Sequence, residues 1–330
     1  MTHKKLNKVC VYGAGAIGGW IGARLVGAGC VVSVVARGAT LAALQQQGLR
    51  LREADADITQ AVQASASPAE LGVQDLVVIA VKAPSLLQVA RHIGPLIGPD
   101  TIVLTAMNGV PWWFFHGFGG QFENSRLSAV DATGEIGAAI PAARVIGCVV
   151  HASCSVAAPG VIQHHFGNGL IIGEPAGART ERVAQLAALL VRAGFDASVS
   201  EQIQKDTWYK LWGNMTVNPI SALTGATTDL ILGDELVRDF VSRVMLEAKE
   251  IGARIGIPID QQPEDRHAVT LKLGAFKTSM LQDVEAGKAV ELDALVTVVK
   301  ELGTLTGVPT PFTDALLGLS RLQARVRGLY

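Results

Sequence analysis

A glycine turn set between a strand and a helix restricts the architectures open to this chain more than any other feature. Gly13-Ala14-Gly15-Ala16-Ile17-Gly18 follows the apolar run Lys8–Tyr12 and opens a helical pattern that continues to Val26. Each glycine answers a separate demand. Gly13 allows the tight turn, Gly15 lets backbone approach a pyrophosphate, and Gly18 permits close helix–strand packing. The helix N-terminus adds free N–H groups and a partial positive charge for the phosphates. Residues Gly13, Ala14, Gly15, Ala16, Ile17 and Gly18 are therefore the candidate dinucleotide-binding turn of a first βαβ unit.

The rest of the chain fits that beginning. Short apolar runs at Val31–Ala36, Leu76–Val81, Thr101–Thr105 and Leu127–Val130 read as strands, with helical patterns at Thr40–Gln47 and Ser85–Ile97 between them. Such alternation predicts a parallel sheet covered by helices on both faces. Cys148–Val156, Val161–His165 and Leu170–Ile172 are separated by Ala158-Pro159-Gly160 and Gly167-Asn168-Gly169, which read as turns of a local antiparallel extension. After Ser200 the strand signal stops. Amphipathic helical segments take over at Ile203–Val217, Gly233–Ile255, Leu292–Thr306 and Phe312–Arg327, punctuated by Pro219, Pro258, Pro263, Pro309 and Pro311. A chain of 330 residues is long for one core. The expected organisation is an α/β Rossmann-type domain over residues 1–200 and an all-α domain over residues 201–330, with a cleft between them.

Charge and composition exclude several function classes. Lysine plus arginine (28) nearly cancels aspartate plus glutamate (29), so no global field draws the chain to nucleic acid or an anionic membrane. Apolar residues at 49% rule out a disordered chain, and no apolar stretch approaches the ~18 residues of a membrane span. The basic start Met1-Thr2-His3-Lys4-Lys5 leads into a strand rather than a secretory apolar segment. Cys10, Cys30, Cys148 and Cys154 form no C-x-x-C pair, which suits reduced thiols in the cytoplasm. His151, His164 and His165 match no zinc spacing, so no metal is expected.

Several polar residues sit where ligands of such a sheet bind. Arg37 ends the second strand at the position where NAD-preferring proteins carry an acid; its guanidinium could clamp a 2′-phosphate, or be merely solvated. Lys82 and Asn108 follow the third and fourth strands at their carboxyl ends, where a turn role is equally open. Lys210, Asn214 and Asn218, spaced by four, form one polar row on a helix whose other residues include Trp208, Leu211, Trp212 and Met215. A helix apolar on its other faces is buried, so the row should face a polar cavity rather than bulk water. Downstream, Ser279 adds a hydroxyl and Glu291 a carboxylate, the latter also suited to a helix N-terminus.

Together these residues resemble the ketopantoate reductase (2-dehydropantoate 2-reductase) family. The resemblance rests on Gly13-x-Gly15-x-x-Gly18, Val81-Lys82, Asn108-Gly109, Lys210-Leu211-x-x-Asn214-x-x-x-Asn218-Pro219, Ser279-Met280-x-Gln282-Asp283 and Glu291, spread over nearly the whole chain. It implies a Rossmann domain followed by a helical domain like the 6-phosphogluconate dehydrogenase C-terminal domain. It further implies NADP as cofactor and a small keto acid, 2-dehydropantoate first, as substrate, in a step of pantothenate biosynthesis. Lys210 then corresponds to the general acid with Glu291 beside its ammonium, and Asn214, Asn218, Ser279 and Asn108 to substrate-binding residues. Arg37, Lys82 and Asn108 correspond to cofactor-site positions.

Two features keep other readings open. Pro111-Trp112-Trp113-Phe114-Phe115-His116 is a bulky run outside the resemblance, suited to a buried plug or a subunit contact ahead of a substrate lid, so a homodimer is allowed. A related β-hydroxyacid or opine-type dehydrogenase, or a dinucleotide-sensing module without turnover, would share the architecture. The polar row at Lys210 argues against the sensor.

Overall fold

The computed structural model describes residues 6–330; Met1 to Lys5, read above for a targeting signal, lie outside the described residues. The first part comprises β1 (Lys8–Tyr12), α1 (Ala16–Gly27), β2 (Val31–Val35), α2 (Gly38–Gln47), β3 (Leu49–Arg52), β4 (Asp57–Gln60), β5 (Gln63–Ser65) and β6 (Leu76–Ile79). It continues with α3 (Leu86–His92), β7 (Ile102–Thr105), α4 (Glu135–Ala139), β8 (Val145–Ala158), β9 (Val161–Gly173), α5 (Glu181–Arg192) and β10 (Asp196–Val199). Helices alone follow: α6 (Ile203–Thr224), α7 (Thr228–Gly233), α8 (Glu235–Arg254), α9 (Pro263–Leu271), α10 (Ser279–Glu285), α11 (Val298–Thr306) and α12 (Pro311–Val326).

One sheet runs in the order β4-β3-β9-β8-β7-β6-β1-β2-β5, with β10 also on β9. Its centre is parallel: β1 pairs with β2 and β6, β6 with β7, and β7 with β8. The apolar character of β1, β2, β6 and β7 follows from this position, because helices cover both faces. The chain is thus a parallel-rich Rossmann-like sheet followed by a helical region, as the resemblance implies.

Three local expectations are corrected. Gly167-Asn168-Gly169 is no turn between strands but lies inside β9, which pairs antiparallel with β8 throughout. Gly167 (φ +80°) accommodates a bulge opposite His151–Ser153, where the register shifts, so turn-type residues serve a bent strand. Leu127–Val130 is not a strand: the backbone N–H groups of Ser128 and Ala129 donate to Glu301 at 2.7 and 2.8 Å, which replaces ladder bonds, while Leu127 enters the helical core. Pro219 does not end α6, which runs on to Gly225 in the left-handed region. Packing of α6 against α8, α10 and α12 outweighs the one backbone bond that proline removes.

The glycine turn is shaped by contact. Gly13 sits at φ +101°, and a Cβ there would lie 2.6 Å from Val81 Cγ1. A Cβ on Gly18 would lie 2.0 Å from the Gly13 carbonyl oxygen and 3.0 Å from Ala80 Cβ, whereas one on Gly15 would meet nothing within 4 Å. Gly18→Ala should therefore destabilise the fold by about 3 kcal/mol, an overpacking cost against backbone. Gly15→Ala should stay within about 1 kcal/mol of the parent, the usual cap penalty. Chemical denaturation of both variants checks this.

Candidate active site

A cavity of about 530 Å³ opens between the carboxyl ends of β6 and β7, the Cys148 and Val149 stretch of β8, and the helical region. Its polar wall carries Thr105, Asn108, Lys210, Asn214 and Glu291. Ligands of open α/β sheets bind at this edge.

Lys210 and Asn214 reach the cavity from one face of α6, while Trp208, Trp212 and Met215 bury its other faces. The Lys210 ammonium donates to the Val150 carbonyl oxygen of β8 at 2.5 Å. Burial pushes its pKa down to about 8, with Glu291 pulling upward and Arg266 adding to the fall. The Cys148 thiol on the same wall is pushed by burial to about 12 and stays protonated. Asn218, one turn on, is buried inside the helical region and does not line the cavity.

Glu291 takes a different partner from the one expected. Its Oε2 lies 3.2 Å from Lys82 Nζ and its Oε1 accepts from the Ala83 backbone N–H at 2.9 Å, so the ammonium it holds is that of Lys82 rather than Lys210. Asp283 Oδ2 lies 2.7 Å from the same ammonium. Burial lowers the Lys82 pKa, but Glu291 and Asp283 outweigh it and the net displacement is upward. Ser279 begins α10 one turn before Asp283, half-buried and outside the cavity wall, and Thr278 caps that helix through the Leu281 N–H at 3.2 Å.

Asn108 precedes a second contact between sheet and helices. The Val110 N–H donates to the Ala294 carbonyl at 2.9 Å, and Gly109 has φ +86°, with a Cβ there 2.5 Å from that oxygen. Ala294 belongs to a π-helical turn, Asp293–Thr297, directly after Leu292. One short segment, Glu291 to Ala294, thereby holds the loops after both β6 and β7. Motif reading found Glu291 but not Asp283 or Ala294 as partners. Asp283 stood within the Ser279 motif, and nothing in the sequence pointed to the Ala294 carbonyl.

The residues at the glycine turn suit a dinucleotide. Gly13, Ala14, Gly15, Ala16, Ile17 and Gly18 join β1 to α1, no side chain caps the first turn of α1, and open space faces Gly15. Arg37, exposed at the end of β2, donates to Gln88 Oε1 at 2.9 Å. The aromatic run is buried: Trp112 and Trp113 wall the cavity, while Phe114 and Phe115 enter the helical core. His164 stacks on Trp20 with ring centroids 5.5 Å apart.

Family models described as "Ketopantoate reductase PanE/ApbA" and "Ketopantoate reductase PanE/ApbA C terminal" match residues 9–177 and 202–324. The chain belongs to the ketopantoate reductase family. A 2-dehydropantoate 2-reductase of Mesorhizobium japonicum is 48% identical over 98% of this chain and 99% of its own. A crystal structure from Ralstonia solanacearum MolK2, provisionally described as a ketopantoate reductase, shares 57% identity and a TM-score of 0.95, covering 99% of this chain and all of its own. A 2-dehydropantoate 2-reductase from Geobacter metallireducens superposes with a TM-score of 0.83 at 27% identity, over 96% of this chain and 99% of its own. Like its family, the chain is a dinucleotide-dependent oxidoreductase. No helix among the described residues is long and apolar enough to cross a membrane.

For this member of the family, the bond between Lys82 and Glu291 should show as coupling. A double-mutant cycle of Lys82→Met and Glu291→Gln, read by denaturant unfolding, should give about 1–2 kcal/mol, because one partner is nearly buried while Asp283 partly compensates. Strict additivity would contradict the assigned pairing.

Proposed function

We propose that this chain reduces a 2-keto acid, 2-dehydropantoate first, to the 2-hydroxy acid with NADPH, and that Lys210 is the general acid. The observation that carries the reading is a desolvated ammonium on the wall of the cavity where sheet and helices meet. The dinucleotide would rest on Gly13 to Gly18 with Arg37 at a 2′-phosphate, and when bound it supplies the hydride.

The chain's own residues do the remaining work. As the ketone carbon is reduced, negative charge grows on its oxygen, and Lys210 both stabilises that charge and gives the proton. The Val150 carbonyl fixes the amine beforehand, so little reorganisation is needed. Asn214 and Asn108 can donate to the substrate carboxylate without adding charge. Glu291, immobilised by Lys82 and the Ala83 N–H, can accept from a substrate hydroxyl with its remaining lone pairs. Asn218 and Ser279 do not line the cavity and are given no direct part. Lys82 holds the carboxylate near the nicotinamide end.

Lys210→Ala should lower turnover by on the order of 10²–10⁴ with NADPH affinity largely kept, measured by cofactor oxidation and fluorescence titration. With the amine at about pKa 8, reduction requires the form present below that pH. Turnover limited by this step should be flat at lower pH and fall about tenfold per unit above pH 8. Arg37→Ala should raise the KM for NADPH by about 10–100-fold and leave that for NADH nearly unchanged, because only the phosphate contact is lost. Equal losses with both cofactors would remove the case for NADP.

A further inference from the structure

The polar residues lining the cavity account for the reacting carbonyl and carboxylate, but the same cavity also has apolar wall surface. Trp112 and Trp113 contribute to it, together with Val110, Val130, Leu211 and Leu329. Both indole N–H groups are already spent inside the protein: Trp112 Nε1 donates to the Ile140 carbonyl at 3.1 Å and Trp113 Nε1 to Thr105 Oγ1 at 3.2 Å. The rings are also seated firmly. A Cβ on Gly147 would lie 2.5 Å from the Trp113 ring, so this glycine in β8 makes room for it. Toward the cavity the two tryptophans therefore offer carbon surface and no donor. Such a wall rewards apolar substrate surface and penalises an unpartnered hydroxyl placed against it.

We propose that this wall is the subsite for the acid's side chain, and that the enzyme accepts 2-keto acids with bulky apolar side chains, aromatic ones included. The proposal rests on the keto acid reductase reading above and names its substrate class. Reaction balance is unchanged: NADPH is oxidised, its hydride joins the ketone carbon, and Lys210 protonates the oxygen to give the 2-hydroxy acid. Trp112 and Trp113 touch no reacting atom in this scheme; they set specificity. Each methylene buried on the wall should raise kcat/KM about fourfold, and a phenyl group gains further from ring–ring contact.

The test compares kcat/KM with NADPH for pyruvate, 2-dehydropantoate, 4-methyl-2-oxopentanoate and phenylpyruvate, using the native protein and Val130→Phe. Val130 lines the cavity in the turn after Leu127, and the larger ring would fill the subsite. Native enzyme should favour phenylpyruvate over pyruvate by about tenfold or more, and Val130→Phe should remove at least tenfold from phenylpyruvate while changing pyruvate less than about threefold. Val130→Leu, a milder filling, replaces it if melting curves show that Val130→Phe does not fold. Phenylpyruvate turned over no better than pyruvate, or a variant that depresses every acid alike, overturns the subsite while leaving the reductase reading intact. No oxidation of NADPH with any acid, 2-dehydropantoate included, overturns both.

Discussion

The carboxylate of Glu291 is the fixed point on which the site depends. It is almost fully buried, and a buried charge persists only when both oxygens are met. Lys82 Nζ and the Ala83 N–H meet them, and both come from the loop after β6, at the carboxyl end of the parallel sheet. Helical and sheet regions are consequently joined by a charged contact at the cavity wall. Asp283 on α10 shares the same ammonium, so two separate stretches of the helical region are registered against one lysine. Three residues further along from Glu291, the Ala294 carbonyl takes the Val110 N–H and sets the loop that carries Asn108. The π-helical turn gives this segment its shape, and such turns recur where a helix is bent to serve a site.

Lys210 stands in contrast to Lys82. Lys210 lines the cavity and Lys82 holds Glu291 on its wall, yet their environments drive their proton affinities in opposite directions. Lys82 has two carboxylates, and they outweigh burial. Lys210 has a carbonyl oxygen for a close partner, and burial dominates. A lysine used as a proton donor near neutral pH needs the second environment, because a strongly paired ammonium releases its proton reluctantly. The division follows from which side of the cavity Glu291 faces. Were Glu291 on Lys210 instead, the donor would be weakened and the β6 loop left without its anchor.

How much of this was legible in the chain follows from the range of the forces involved. The turn from Gly13 to Gly18 and the row Lys210, Asn214 could be read because strand, turn and helix geometry is local: spacing alone puts residues on a face. Leu127–Val130 reads as a strand and is not one, because a distant carboxylate, Glu301, supplies the partner its backbone N–H groups would otherwise seek in a sheet. Pro219 reads as a helix end, yet contacts from three helices carry α6 past it. The swap of Glu291 from Lys210 to Lys82 belongs to the same class. Sequence named both lysines and the acid, but only tertiary distance decides which pair forms.

The aromatic run shows the same limit. Its hydrophobicity predicted burial, and all four rings are buried. Burial alone does not divide the run, whereas backbone direction does: two tryptophans line the cavity, while Phe114 packs on Trp208 and Phe115 on Phe118 and Phe122 in the helical core. Phe114 and Phe115 thereby support α6 from behind while Trp112 and Trp113 face what α6 presents. The run therefore joins the packing behind α6 to the lining of the cavity that α6 faces.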